Sequence, residues 1–121
     1  MNIKESGLIL FVENYPAALD FYTHQLGLPV REQQPELTVF QFGNSYLMVE
    51  KGGAASPAAK SRSQNPTVLR LDVEDFEQTV QELRNRHVTI EVSTHSWGII
   101  GILLDPDGNR IEIKKHGISS L

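Results

Sequence analysis

Apolar and polar residues alternate along the chain, switch to helical spacing, and then do so a second time. Leu8-Ile9-Leu10-Phe11-Val12-Glu13-Asn14 and Leu69-Arg70-Leu71-Asp72-Val73-Glu74-Asp75 both read as short strands ending in Val-Glu and an amide or acid. From Val12 to Val73 the offset is 61 residues, half of a 121-residue chain, and a repeat of that length constrains architecture more firmly than local propensity does. Each strand runs into a helix signal. In the first half Asn14 can cap, Pro16 suits the opening turn, and Tyr15, Leu19, Tyr22 and Leu26 recur at helical spacing until Gly27 stops the run. In the second, Asp75 with Gln78 three residues on forms a capping-box pattern, and Phe76, Val80 and Leu83 make the apolar stripe. Strand-like runs follow both helices: Pro29–Glu32, Leu37–Phe42 and Tyr46–Glu50, then Thr89–Ser93, Gly98–Leu104 and Ile111–Lys114. Gly43-Asn44 and Gly108-Asn109 mark hairpins and align at an offset of 65 residues.

The expected organisation is one α+β domain of two tandem βαβββ modules, residues 1–50 and 67–121, joined by residues 51–66. The joining segment is rich in Gly, Ala, Ser and Pro and reads as a mobile linker or lid, a solvated connector being the simpler of the two. A chain of this length suits a single core. Hydrophobic residues at 40% and charged residues at 21% place it among globular proteins, away from disordered or fibrous classes.

Charge and residue usage narrow the chemistry. A net charge of -4 leaves no basic footprint for nucleic acid. With no Cys, disulfides, thiolate nucleophiles and thiolate metal sites are excluded, so any metal needs His or carboxylate ligands. The polar start Met1–Ser6 and an apolar run cut at Glu13-Asn14 are too short for a signal or membrane helix, which makes the cytoplasm the default location and a membrane partner unexpected.

Leu26-Gly27-Leu28 after the first helix, Trp97-Gly98 ahead of the seventh strand, and Asp105-Pro106-Asp107-Gly108-Asn109-Arg110-Ile111-Glu112 before the last carry a resemblance that covers nearly the whole chain. Together with the doubled βαβββ pattern they resemble the vicinal oxygen chelate superfamily, which includes glyoxalases, bleomycin-resistance proteins and extradiol dioxygenases. The resemblance implies curled sheets around a cleft with helices outside, and a homodimer whose clefts include both chains. It also implies, in metal-dependent members, four ligands of the His or Gln, Glu, His and Glu kind. Here those positions fall on Gly7, Leu47, Val68 and Glu112, of which only Glu112 can bind a cation. A divalent ion needs about three protein ligands, so no metal and no other cofactor is expected.

Side chains alternate across a strand, so one anchor orients its neighbours. With Leu8, Leu10 and Val12 toward the helix, Gly7, Ile9 and Phe11 face the cleft; Val68, Arg70 and Asp72 do so on the fifth strand, and Arg110, Glu112 and Lys114 on the last. The candidate ligand-binding residues are Arg70, Glu112, Trp97, Phe11 and His95, with Arg70 either pairing with Glu112 or gripping an anion. Phe40 and Phe42 read as core. His24 and His87, toward the helix ends, fit an ordinary dipole interaction. The reading that follows is a metal-independent binder of a small molecule, sequestering an antibiotic or metabolite. The alternative is a glyoxalase-like lyase, isomerase or dioxygenase with Glu112 as general base and catalytic residue.

Overall fold

The structure, a computed structural model, describes residues 1–117. In the first half β1 (Gly7–Val12) leads into α1 (Tyr15–Asp20), which continues as a π-helical turn over Phe21–Gln25, followed by β2 (Val30–Gln33), β3 (Leu37–Phe42) and β4 (Ser45–Lys51). The second half repeats the order with β5 (Leu69–Val73), α2 (Phe76–Asn85), β6 (Glu91–His95), β7 (Gly98–Leu104) and β8 (Arg110–Lys115). Strand order is β1-β4-β3-β2 in one sheet and β5-β8-β7-β6 in the other, with β1 parallel to β4 and β5 parallel to β8. This is the α+β arrangement of two βαβββ modules that the repeat predicts. Among the described residues no helix is long and apolar enough to cross a membrane.

Local chemistry sets the helix ends. Asn14 Oδ1 accepts the Ala17 amide at 3.2 Å, and Gly27 stops α1 at φ 82°, a left-handed conformation that glycine adopts at little cost. Asp75 Oδ1 accepts the Gln78 amide at 3.0 Å, but the reciprocal half of the capping box does not form, because Gln78 Nε2 turns along the helix to Glu82 Oε1. The helix-covered faces of both sheets feed one core, in which Val12, Tyr22, Phe40, Leu47, Ile111 and Ile113 are fully buried, while Phe42 packs at its edge.

The turn from Asp105 to Asn109 is the hub of the molecule. Asp105 Oδ1 accepts the amides of Asp107 and Asn109, and its Oδ2 accepts Asn109 Nδ2 and, from α1, the Tyr22 hydroxyl at 2.7 Å. Burial, and then the charge of Asp105, push the Tyr22 hydroxyl well above its ordinary value. Asp107 Oδ2 takes the Glu13 amide at the end of β1 at 2.7 Å. The joining segment is fastened to the same turn, which corrects the expectation of a mobile linker. Ser56 N donates to Asp107 O, Lys60 N to Gly108 O, and Asn65 Nδ2 to Asn109 Oδ1. Gly108, at φ 89°, lies against the Ala58 carbonyl, where any Cβ would collide.

One residue of the expected cleft face is also corrected. Leu47 is fully buried in the core, so it cannot be the first-half counterpart of Glu112. The strand register identifies the counterpart as Met48: Glu112 lies beside Arg70, and 61 residues earlier Ile9 lies beside Met48. The cause is the face on which each hairpin closes. β3 and β4 are joined through the two residues Gly43-Asn44, whereas β7 and β8 are joined through five, Asp105–Asn109. Phe42, packed against the core, pairs with Ser45, whereas Leu104, on the open face, pairs with Arg110. The residue after each Gly-Asn pair therefore lies on the opposite face in the two halves, and matching the pairs shifts the register by one.

Candidate functional site

Each sheet has one face covered by helices and one open, and the two open faces differ in chemistry. That of the first sheet is largely hydrocarbon: Ile9 and Phe11 on β1 are 51% and 49% exposed, flanked by Met48 and Val39. At one end Arg31 donates to both oxygens of Glu5, at 2.9 and 2.6 Å, and lies 6.0 Å from the Tyr46 ring centre. That of the second sheet is charged. Arg70 on β5 donates through Nε and Nη2 to Glu112 Oε1 at 3.1 and 2.6 Å, while Arg110 Nε donates to Glu112 Oε2 at 2.7 Å. Two residues further along the same pair of strands, and so on the same face, Lys114 Nζ lies 3.3 Å from Asp72. Burial would by itself raise the Glu112 carboxyl. The hydrogen bonds from Arg70 and Arg110 and their charges outweigh it, and hold Glu112 below its ordinary value.

Trp97, in the turn between β6 and β7, extends this cluster. The Arg70 guanidinium carbon is 5.7 Å from its ring centre, and the His95 imidazole stacks on it at 4.9 Å with the planes 6° apart. His95 Nε2 is 3.0 Å from Ser93 Oγ. Of the five residues singled out in the sequence, Arg70, Glu112, Trp97 and His95 therefore form one chain of contacts. Phe11 stands apart, on the open face of the other sheet with its ring against Gly52. Arg110 and Lys114, although assigned to the correct face by alternation, were not recognised as members; the signal was the i, i+2 spacing of Arg110 and Glu112 on one strand.

The residues do not suit a divalent cation. The space where a side chain at Gly7 would reach is filled by the Tyr46 ring, Met48 and Val68 carry no oxygen or imidazole, and both oxygens of Glu112 are taken by arginines. Two guanidinium charges at the one remaining carboxylate also repel a cation. Among the described residues no three His, Asp or Glu side chains are grouped to hold a metal.

The profile of the Glyoxalase/Bleomycin resistance protein/Dioxygenase superfamily matches residues 6–113. An uncharacterised protein of Bacillus subtilis (strain 168), YraH, is 29% identical over 119 residues, which covers 88% of this chain and 93% of that one. Among solved structures, TnmS3, an antibiotic binding protein from Streptomyces sp. CB03234, superposes with a TM-score of 0.73 at 21% identity, covering 95% of this chain and 98% of that one. A lactoylglutathione lyase from Agrobacterium tumefaciens superposes at 0.72 and 16% identity, covering 98% and 100%. A binder and an enzyme thus share this fold about equally well, so fold alone does not decide between them.

Proposed function

Because the chain belongs to the glyoxalase, bleomycin resistance protein and dioxygenase superfamily, we propose that it binds a small molecule on the open sheet faces without a metal ion. The observation that carries this is the double engagement of Glu112: at the one family ligand position that keeps a carboxylate, Arg70 and Arg110 take both oxygens. The likeness to an antibiotic-binding protein supports a sequestering role. Arg70, Glu112, Trp97 and His95 provide a polar, aromatic wall, and Phe11 with Ile9 a hydrocarbon one, the mixture typical of small-molecule pockets. An enzymatic role for Glu112 as general base is less well supported, since a carboxylate held below its ordinary value by two arginines is a weak proton acceptor.

Neither wall closes a cleft within one chain, as the exposure of Ile9, Phe11 and of Val68 at 43% shows. We propose that a second copy covers them, so that the hydrocarbon face of one chain meets the charged face of its partner. Exposed apolar area of this kind is the usual mark of an interface. Gel filtration should give a particle of two 13.6 kDa chains, and Phe11→Glu should shift it to one; a single chain for the unaltered protein would contradict the pairing.

The binding claim is tested in chelator. Titrating planar aromatic antibiotics should quench the single tryptophan, Trp97, saturably and raise the melting temperature, while Arg70→Ala weakens the effective compound roughly tenfold. Stabilisation that appears only when a divalent ion is restored would refute metal-free binding.

A further inference from the structure

At the start of β6, the end opposite Trp97, lies a cavity of about 700 Å³ between the joining segment, the π-helical end of α1 and the β7–β8 turn. That volume falls within the range of small-molecule pockets. Its wall is apolar at Phe21, Ile102 and Leu104, and basic at Lys60, His87 and Arg110. Two acids also line it. Asp105 is buried with its oxygens engaged by four donors, so the accessible balance sets one acid, Glu91, against three basic side chains.

Two details indicate that the basic side chains serve a ligand. Arg110 commits only its Nε, to Glu112, and its two terminal nitrogens have no partner among the described residues; the side chain is 42% exposed. His87 sits one residue beyond the last residue of α2's cap, at φ 67°, and is the sole non-glycine at positive φ among the described residues. The repeat supplies the comparison: one residue beyond the cap of α1 the same conformation, φ 82°, is filled by Gly27. Glycine meets the backbone requirement there with no steric penalty, whereas the second half keeps an imidazole in a strained conformation on the wall of a cavity. The dipole explanation read from the sequence does not account for this, because an imidazole is not needed at a left-handed cap.

We propose that this cavity is a second binding site, adjoining the Trp97 cluster only through Arg110, for an amphipathic carboxylate. The acid group meets Lys60, His87 and the terminal nitrogens of Arg110, and its hydrocarbon part lies on Phe21, Ile102 and Leu104. Charge-assisted hydrogen bonds give such a site its selectivity for the ionised ligand over a neutral one of the same shape.

The test uses the full chain, isotope-labelled, with 2-naphthoate as probe and 2-naphthamide as its neutral counterpart. Backbone amide shifts are expected at residues 87–89 and 102–104, with the amide binding about tenfold more weakly. His87→Gly should raise the melting temperature by roughly 3 °C, by relieving the left-handed strain, and yet weaken 2-naphthoate about fivefold. Lys60→Gln, a change remote from the core, should weaken it by a similar factor. Equal affinity for acid and amide, shifts confined to Ile9 and Phe11, or undiminished affinity in His87→Gly would each overturn the proposal. None of these outcomes depends on whether antibiotics bind at Trp97.

Discussion

Asp105→Ala is expected to lower stability by about 3–5 kcal/mol, the largest loss of any single substitution considered for this chain. Asp105 is 5% exposed, and its two oxygens hold four donors at 2.7–2.9 Å: the Asp107 and Asn109 amides, Asn109 Nδ2 and the Tyr22 hydroxyl. Alanine leaves all four without an acceptor. Tyr22 is fully buried and Asn109 nearly so, and an unsatisfied buried donor costs about 1–3 kcal/mol, with partial relaxation and entry of water keeping the sum below the simple total. The effect also spreads, because the turn Asp105 organises carries Asp107, which holds the end of β1, and the carbonyls that fasten Ser56 and Lys60. Tyr22→Phe removes one of the four bonds and should cost only about 1 kcal/mol. Urea unfolding at neutral pH measures both. A loss under 1 kcal/mol for Asp105→Ala would show that the turn is not the hub described.

Glu112→Ala is expected to cost about 2–3 kcal/mol at pH 7, and Glu112→Gln about half of that. The carboxylate is almost buried and its partners are partly exposed, so solvent screens the arginines and keeps the figure below that of a fully buried pair. Alanine leaves Arg70 and Arg110 facing each other without the charge between them, while glutamine restores an acceptor for one. The pH dependence follows from the direction of the shift. A carboxyl held low in the folded state contributes stability that is fully present above its unfolded value, near 4.3, and is lost as pH falls through the depressed folded value. Stability measured from pH 7 down to pH 3 should therefore show an acid limb that Glu112→Gln flattens. An unchanged limb in that variant would remove Glu112 from the account.

Much of the fold was legible because its signals are local and occur twice. The period-2 runs, the caps at Asn14 and Asp75 and the stop at Gly27 each depend on residues a few positions apart, and β3 and β7 fall on the expected bounds. β6 begins two residues later than expected, because Val88 and Ile90 are buried core residues on the approach to the strand rather than within it. The sequence puts Leu47 on the wrong face because a glycine-asparagine pair looks alike whether the next strand starts on the core face, as at Ser45, or on the open face, as at Arg110, and only the register against β1 reveals the difference. The joining segment looked mobile because its anchors, Asp107, Gly108 and Asn109, are more than forty residues away and leave no trace in its own composition. For the candidate site, alternation placed Arg70 and Glu112 on one face, which permits their contact. It gave no sign that Arg110 would take the second oxygen, or that the β6–β7 turn would fold Trp97 to within 5.7 Å of the Arg70 guanidinium.

The measurement that bears most directly on metal-free binding is the metal content of the protein after exposure to excess nickel, zinc, manganese and iron and removal of unbound ions. With Gly7 covered by Tyr46 and Glu112 held by two guanidinium groups, less than about a tenth of an equivalent per chain is expected to remain. One equivalent of any of these ions, retained by the natural chain and lost in Glu112→Gln, would contradict it.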